Sequence, residues 1–139
     1  MAKISLGTVQ LGMNYGISNQ LGKTKESNAK EILQYALNQG INVLDTAPSY
    51  GNSEDIIGGF IHNHPCDECW RIITKTPNFK SSVISDKQID KLFESFELSQ
   101  NKLGKKNIYG LLVHECDNIF LPGGKKILDK MNQLKDDGF

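Results

Sequence analysis

The chain has 139 residues, enough for one domain whose core needs neither disulfides nor metal. Its 16 basic and 16 acidic side chains cancel, which argues against nucleic-acid or anionic-membrane partners. No apolar run approaches the roughly 20 residues of a membrane helix, Ser5 and Gly7 interrupt any signal-like stretch at the start, and three cysteines are too few for a disulfide framework; a cytoplasmic protein forming a single domain over residues 1–139 is expected.

In chain order, Ile4-Ser5-Leu6-Gly7-Thr8-Val9 reads as a short strand ending in a Gly-containing turn. The polar, Asn- and Gly-rich residues 14–25 read as a long loop. Ala29, Ile32, Leu33, Ala36 and Leu37 fall at the spacing of one helical face, and Gly40 stands where the helix should end. Ile41-Asn42-Val43-Leu44-Asp45 is a second strand, apolar enough for a parallel sheet buried on both faces. After a turn at Pro48-Ser49-Tyr50-Gly51 comes a shorter helix over residues 53–61. Residues 62–68 read as a loop and Trp70-Arg71-Ile72-Ile73-Thr74-Lys75 as the third strand.

Ser85 and Gln88 have the spacing of a capping box for a third helix. Its apolar face is Ile89, Leu92, Phe93 and Phe96, running to Leu103 with Gly104 as the stop. Residues 108–113 form the fourth strand, and Ile127, Leu128, Met131 and Leu134 the fourth helix, closed by Gly138. Four strand-helix units argue for an α/β fold with parallel strands and right-handed crossovers. Periodicity fits a doubly wound sheet and half of a (β/α)8 barrel equally well.

Chemistry-bearing residues stand at the strand ends. Asp45, Lys75 and His114 close strands two, three and four, and alternation puts each on the face of Val43, Ile73 and Leu112 respectively. Three ionisable side chains would then meet at the carboxyl edge of one sheet, where α/β barrels carry their active sites. Tyr50 follows Asp45 closely enough to turn back over that edge. A tyrosine hydroxyl, with an ordinary pKa of about 10, donates protons poorly at neutral pH. A lysine ammonium beside it stabilises the phenolate, an aspartate holds the ammonium in place, and a histidine can orient a carbonyl oxygen. The set suits protonation of a carbonyl while a cofactor delivers hydride.

Leu6-Gly7-Thr8, Leu44-Asp45-Thr46-Ala47 with Tyr50-Gly51 and Ser53-Glu54, Thr74-Lys75, and Leu112-Val113-His114 resemble the successive motifs of the aldo-keto reductases. Order, spacing and strand context agree from about residue 4 to the end. The resemblance implies an oxidoreductase that reduces a small aldehyde or ketone with NADP(H), with Asp45, Tyr50, Lys75 and His114 as the catalytic tetrad. It implies cofactor contacts at Gly7, Thr8 and Asp45. It also implies four βα units forming half of a (β/α)8 TIM barrel, since such barrels run to roughly 250 residues. Strands five to eight, which in the family hold the nicotinamide and grip the adenosine phosphate, are expected to be missing, as in a truncated chain.

A second reading stands beside the enzyme: a non-catalytic half-barrel, remnant or scaffold. Four strands leave open edges at residues 4–9 and 108–113, and an inner face expected to carry Leu6, Val43, Ile73 and Leu112. A homodimer through those edges would relieve both. A metal-dependent barrel hydrolase ranks last, because His62 and His64 are not at a strand end. The segment His62-Asn63-His64-Pro65-Cys66-Asp67-Glu68-Cys69 has zinc-like ligand types but lacks a second pair at finger spacing, so a polar surface loop is expected and no metal site. Cys116 reads as an ordinary thiol. Gly7, Gly12 and Gly16 do not follow Gly-x-Gly-x-x-Gly and no helix is expected directly after them, which rejects a Rossmann fingerprint. Lys102, Lys105 and Lys106 read as a solvated helix end.

Overall fold

A computed structural model describes residues 4–64 and 69–139. In chain order the elements are β1 (Leu6–Gly7), α1 (Val9–Gly12), α2 (Glu26–Asn38), β2 (Val43–Asp45), α3 (Ser53–His62), β3 (Arg71–Lys75), α4 (Asp86–Leu103), β4 (Gly110–Leu112), a 3-10 turn (Cys116–Phe120) and α5 (Lys125–Asp136). Local chemistry sets the helix ends. Gly40 adopts φ of +75°, and the Ile41 N–H donates to Ala36 O while the Gly40 N–H donates to Leu37 O, both at 2.9 Å. These paired bonds satisfy the last carbonyls of α2. At the start of α4 the Gln88 side chain accepts from the Ser85 N–H at 3.1 Å, completing the capping box.

The strands are shorter than the apolar runs that contain them. Ile41 is committed to closing α2, so β2 begins only at Val43. The first run pairs only through Leu6 and Gly7, and Val9 starts the one-turn helix α1 instead of ending a strand. The reason is tertiary. Thr8 bonds the Asp45 carbonyl through its N–H at 3.0 Å, while its own carbonyl accepts from Leu11 at 2.9 Å and starts the helical turn. The preference of a β-branched valine for extended backbone gives way to those bonds. A four-residue helix therefore lies within the Gly7–Gly16 stretch, where strand end and loop were expected.

All strands are parallel, in the order β1-β2-β3-β4. A doubly wound sheet reverses direction at a switch point, and this sheet does not. Successive helices touch one another, α2 with α3, α3 with α4 and α4 with α5, so they share one face, as in a barrel wall. Leu33, Leu44, Ile57, Ile72, Leu92, Leu103 and Ile127 are sealed between that helical layer and the sheet. The opposite face, which would be the barrel interior, carries Gly7, Val43, Asp45, Ile73, Lys75, Gly110 and Leu112. Leu6 is not among them. It pairs in register with Leu44 and packs against the core on the helical side, because the strand is one residue out of phase with the expected alternation.

Candidate active site

The carboxyl ends of β2, β3 and β4 bring together the side chains singled out in the sequence. Asp45 ends β2 and Lys75 ends β3, and the Lys75 ammonium forms an ion pair with the Asp45 carboxylate. A second bond, from Lys75 Nζ to Thr46 O at 3.0 Å, fixes the lysine further. The ammonium then lies 4.9 Å from the centroid of the Tyr50 ring, within cation-π range. Tyr50 meets His114 edge to face, with ring centroids 6.1 Å apart. His114 lies two residues past the end of β4, held by its backbone N–H, which donates to Thr76 Oγ1 at 3.1 Å. Among the described residues its Nδ1 is buried without a protein partner.

Tyr50 owes its place to two glycines. Its N–H donates to Ala47 O at 3.0 Å, and its carbonyl accepts from Ser53 at 3.1 Å. Gly51 follows with φ of +60°, a conformation that L side chains rarely adopt. On the other side α1 approaches so closely that a Cβ on Gly12 would sit 1.7 Å from Tyr50 O. Gly12 thus serves a close backbone approach. The sequence offered that glycine only as a member of a loop.

The expected cofactor contacts separate. Gly7 is exposed on the inner face, in register with Asp45, and a side chain there would meet nothing within 4 Å. Thr8 is fully buried and its hydroxyl donates to Asp45 O at 2.9 Å, so its side chain serves the strand end. Sequence reasoning missed the buried groups behind the site. Glu54 on α3, only 2% exposed, accepts from Thr74 Oγ1 at 2.8 Å and from Ser99 Oγ at 3.1 Å. Burial pushes its carboxyl above the usual carboxylate range, and the two hydroxyls and the charge of Lys102 pull partly back. The Ser53-Glu54 pair quoted among the motifs was the visible signal, but it gave no hint of these partners.

Among the described residues no group of three His, Cys, Asp or Glu could hold a metal ion. Of the Cys-x-x-Cys motif, Cys66 lies outside the described residues with Pro65, Asp67 and Glu68, and Cys69 is disulfide-bonded. Cys116 is a free, exposed thiol. No helix of the described residues is long and apolar enough to cross a membrane.

Residues 3–139 match the model of the Aldo/keto reductase family. The chain belongs to that family. Over 77 residues it is 36% identical to the aldo-keto reductase YhdN of Bacillus subtilis, a match covering 54% of this chain and 22% of YhdN. The fold superposes on a Pseudomonas aeruginosa protein, PA4992, assigned to the aldo-keto reductases, with a TM-score of 0.75 and 29% identity. That match covers 96% of this chain and 51% of PA4992. A holo-form aldo-keto reductase of Bacillus halodurans, at 21% identity and a TM-score of 0.69, shares the fold, with 97% of this chain matching 42% of that one. This aldo/keto reductase chain therefore spans about half the length of the solved relatives it matches. Membership and fold together support an oxidoreductase.

Proposed function

We propose that the chain carries the proton-donating half of an NADP(H)-dependent carbonyl reductase acting on a small aldehyde or ketone. The observation that carries this reading is the placement of the Lys75 ammonium, paired with Asp45 and 4.9 Å from the Tyr50 ring centroid. In this reading Tyr50 donates its phenolic proton to the carbonyl oxygen as the carbon is reduced. The Lys75 ammonium stabilises the negative charge that develops on the phenol oxygen, and Asp45 keeps that ammonium aimed. His114, at the mouth of the same edge, orients the carbonyl oxygen towards Tyr50. NADP(H), when bound, supplies the hydride.

The fit to that cofactor is partial. Gly7 and the open inner face beside Asp45 leave room for the flat nicotinamide end. Among the described residues Lys75 is the cation beside Asp45 and Tyr50, and its charge is already matched by Asp45, so it has none to spare for the phosphates. The pairing that uses up the Lys75 charge favours a second reading, a non-catalytic half-barrel that serves as a scaffold. Titrating NADPH into the purified chain and following its fluorescence tests the two. A saturable change together with carbonyl-dependent oxidation of NADPH supports the reductase. A flat titration supports the scaffold.

A further inference from the structure

Three threonines stand in equivalent places, one residue past the inner-face ends of β1, β2 and β3: Gly7-Thr8, Asp45-Thr46 and Lys75-Thr76. Alternation turns each away from the inner face, beneath the residue that precedes it. All three are buried, at 0%, 0% and 1% exposure. Each extends the sheet by one backbone bond to the next strand, from Thr8 N to Asp45 O (3.0 Å), Thr46 N to Ile73 O (2.9 Å) and Thr76 N to Leu112 O (2.8 Å). A valine could supply all of that.

The hydroxyls do something further. Thr8 Oγ1 donates to Asp45 O at 2.9 Å. Thr46 Oγ1 lies 3.3 Å from Ser53 Oγ, which is itself 3.0 Å from both Thr8 O and Thr8 Oγ1. Thr76 Oγ1 accepts the His114 N–H at 3.1 Å, beyond the last ladder bond of β4. The backbone carbonyl of Thr46 meanwhile holds Lys75 Nζ. Buried hydroxyls must find partners somewhere. Here their partners are the backbones of Asp45 and His114 and the hydroxyl of Ser53, the first residue of α3, whose N–H closes the Tyr50 turn.

We propose that Thr8, Thr46 and Thr76 are positioning residues, a buried hydroxyl layer that sets where Asp45 (and through it the paired Lys75), the Ser53 end of the Tyr50 turn and His114 stand relative to one another. The assignment rests on the reductase reading only for its kinetic consequence. Its geometric part is tested on the whole 139-residue chain by NMR. The His114 amide should exchange slowly although it lies outside the strand ladder. Thr76→Val keeps the branched shape and removes the acceptor. It should speed that exchange about tenfold, the scale of one hydrogen bond, and weaken the NOE between the Tyr50 and His114 rings. Thr76→Ser should restore both. Thr8→Val should move the Asp45 carboxyl and Lys75 ammonium resonances while β3 and β4 amides stay protected.

A His114 amide that exchanges as freely as that of its exposed neighbour Glu115 overturns the proposal, as does a Thr76→Val chain with exchange and ring contact unchanged. Should Thr76→Val not fold, His114 exchange in the unsubstituted chain and the resonance shifts of Thr8→Val decide between these outcomes. If the chain reduces carbonyls with NADPH, Thr76→Val should lower kcat with little change in the KM for NADPH, and Thr76→Ser should recover it. An inactive chain with a protected His114 amide leaves the positioning layer standing and removes the reductase reading.

Discussion

Tyr50 touches both a cation and an imidazole, yet only its hydroxyl would enter the proposed reaction. Tyr50→Phe keeps the ring between Lys75 and His114 and removes the proton. Turnover in a carbonyl reduction assay should fall about 10²- to 10⁴-fold, the usual worth of a general acid, with NADPH binding spared. Unchanged turnover would place the acid elsewhere. Glu54 lends itself to a different measurement. Burial holds its folded carboxyl above the ordinary value of 4.5, so between that value and the raised one the folded chain holds a proton that the unfolded chain has released. Stability from this group is present below pH 4.5 and is lost as pH rises through the window above it. Glu54→Gln removes the titration while leaving an amide for Thr74 and Ser99. Urea midpoints compared at about pH 4.5 and about pH 7 should therefore drop less for Glu54→Gln than for the unsubstituted chain; equal drops would mean that the buried carboxyl stays ionised throughout.

At the scale of elements, the short helix α1 matters beyond its four residues, because it braces the turn that carries Tyr50. Gly12→Ala would drive a methyl group into Tyr50 O and the Ser53 N–H. Overpacking of this kind costs about 1–3 kcal/mol, and here the softer partner is the Tyr50 turn. The expected result is a lower thermal midpoint together with loss of the Tyr50–His114 ring NOE. A variant that is destabilised with the ring contact intact would show that the strain is absorbed by α1. Helix-end signals quoted at the sequence level, such as Gly40 and the Ser85–Gln88 box, act within a few residues, which is why they could be seen there. The ends of β1 and β2 depend on bonds between residues 37 apart, from Thr8 to Asp45, and no local pattern reports them.

The described residues form a sheet with two outer strands, β1 and β4, and an inner face on which Leu112 is 46% exposed. Beside β4 a cleft of about 300 Å³ opens between sheet and α5, lined by Phe96, Ile108, Leu111, Met131 and Phe139. Unpaired strand edges next to apolar surface favour association. Two copies joined edge to edge about a two-fold axis would close eight parallel strands and cover both inner faces. Light scattering on the purified 139-residue chain should accordingly show a mass that rises with concentration towards the dimer. A concentration-independent monomer that unfolds cooperatively at micromolar concentration would show that the exposed face is tolerated as it is.

The order of the four strand-helix units, their parallel kind and the four residues gathered at one edge followed from the sequence alone. Helical periodicity, glycine stops and polar residues closing apolar runs are properties of neighbouring residues. Tertiary structure decided the rest. The sequential strand order separated a barrel wall from a doubly wound sheet, which alternation of period two cannot do. The phase of β1 turned Leu6 towards the helices and left Gly7 on the open face, because pairing with Leu44 and Asp45 fixes that phase and the strand has only two residues of its own. The threonine hydroxyls found their partners across the sheet for the same reason: a buried donor bonds whatever the fold sets beside it, and that neighbour is distant in the chain.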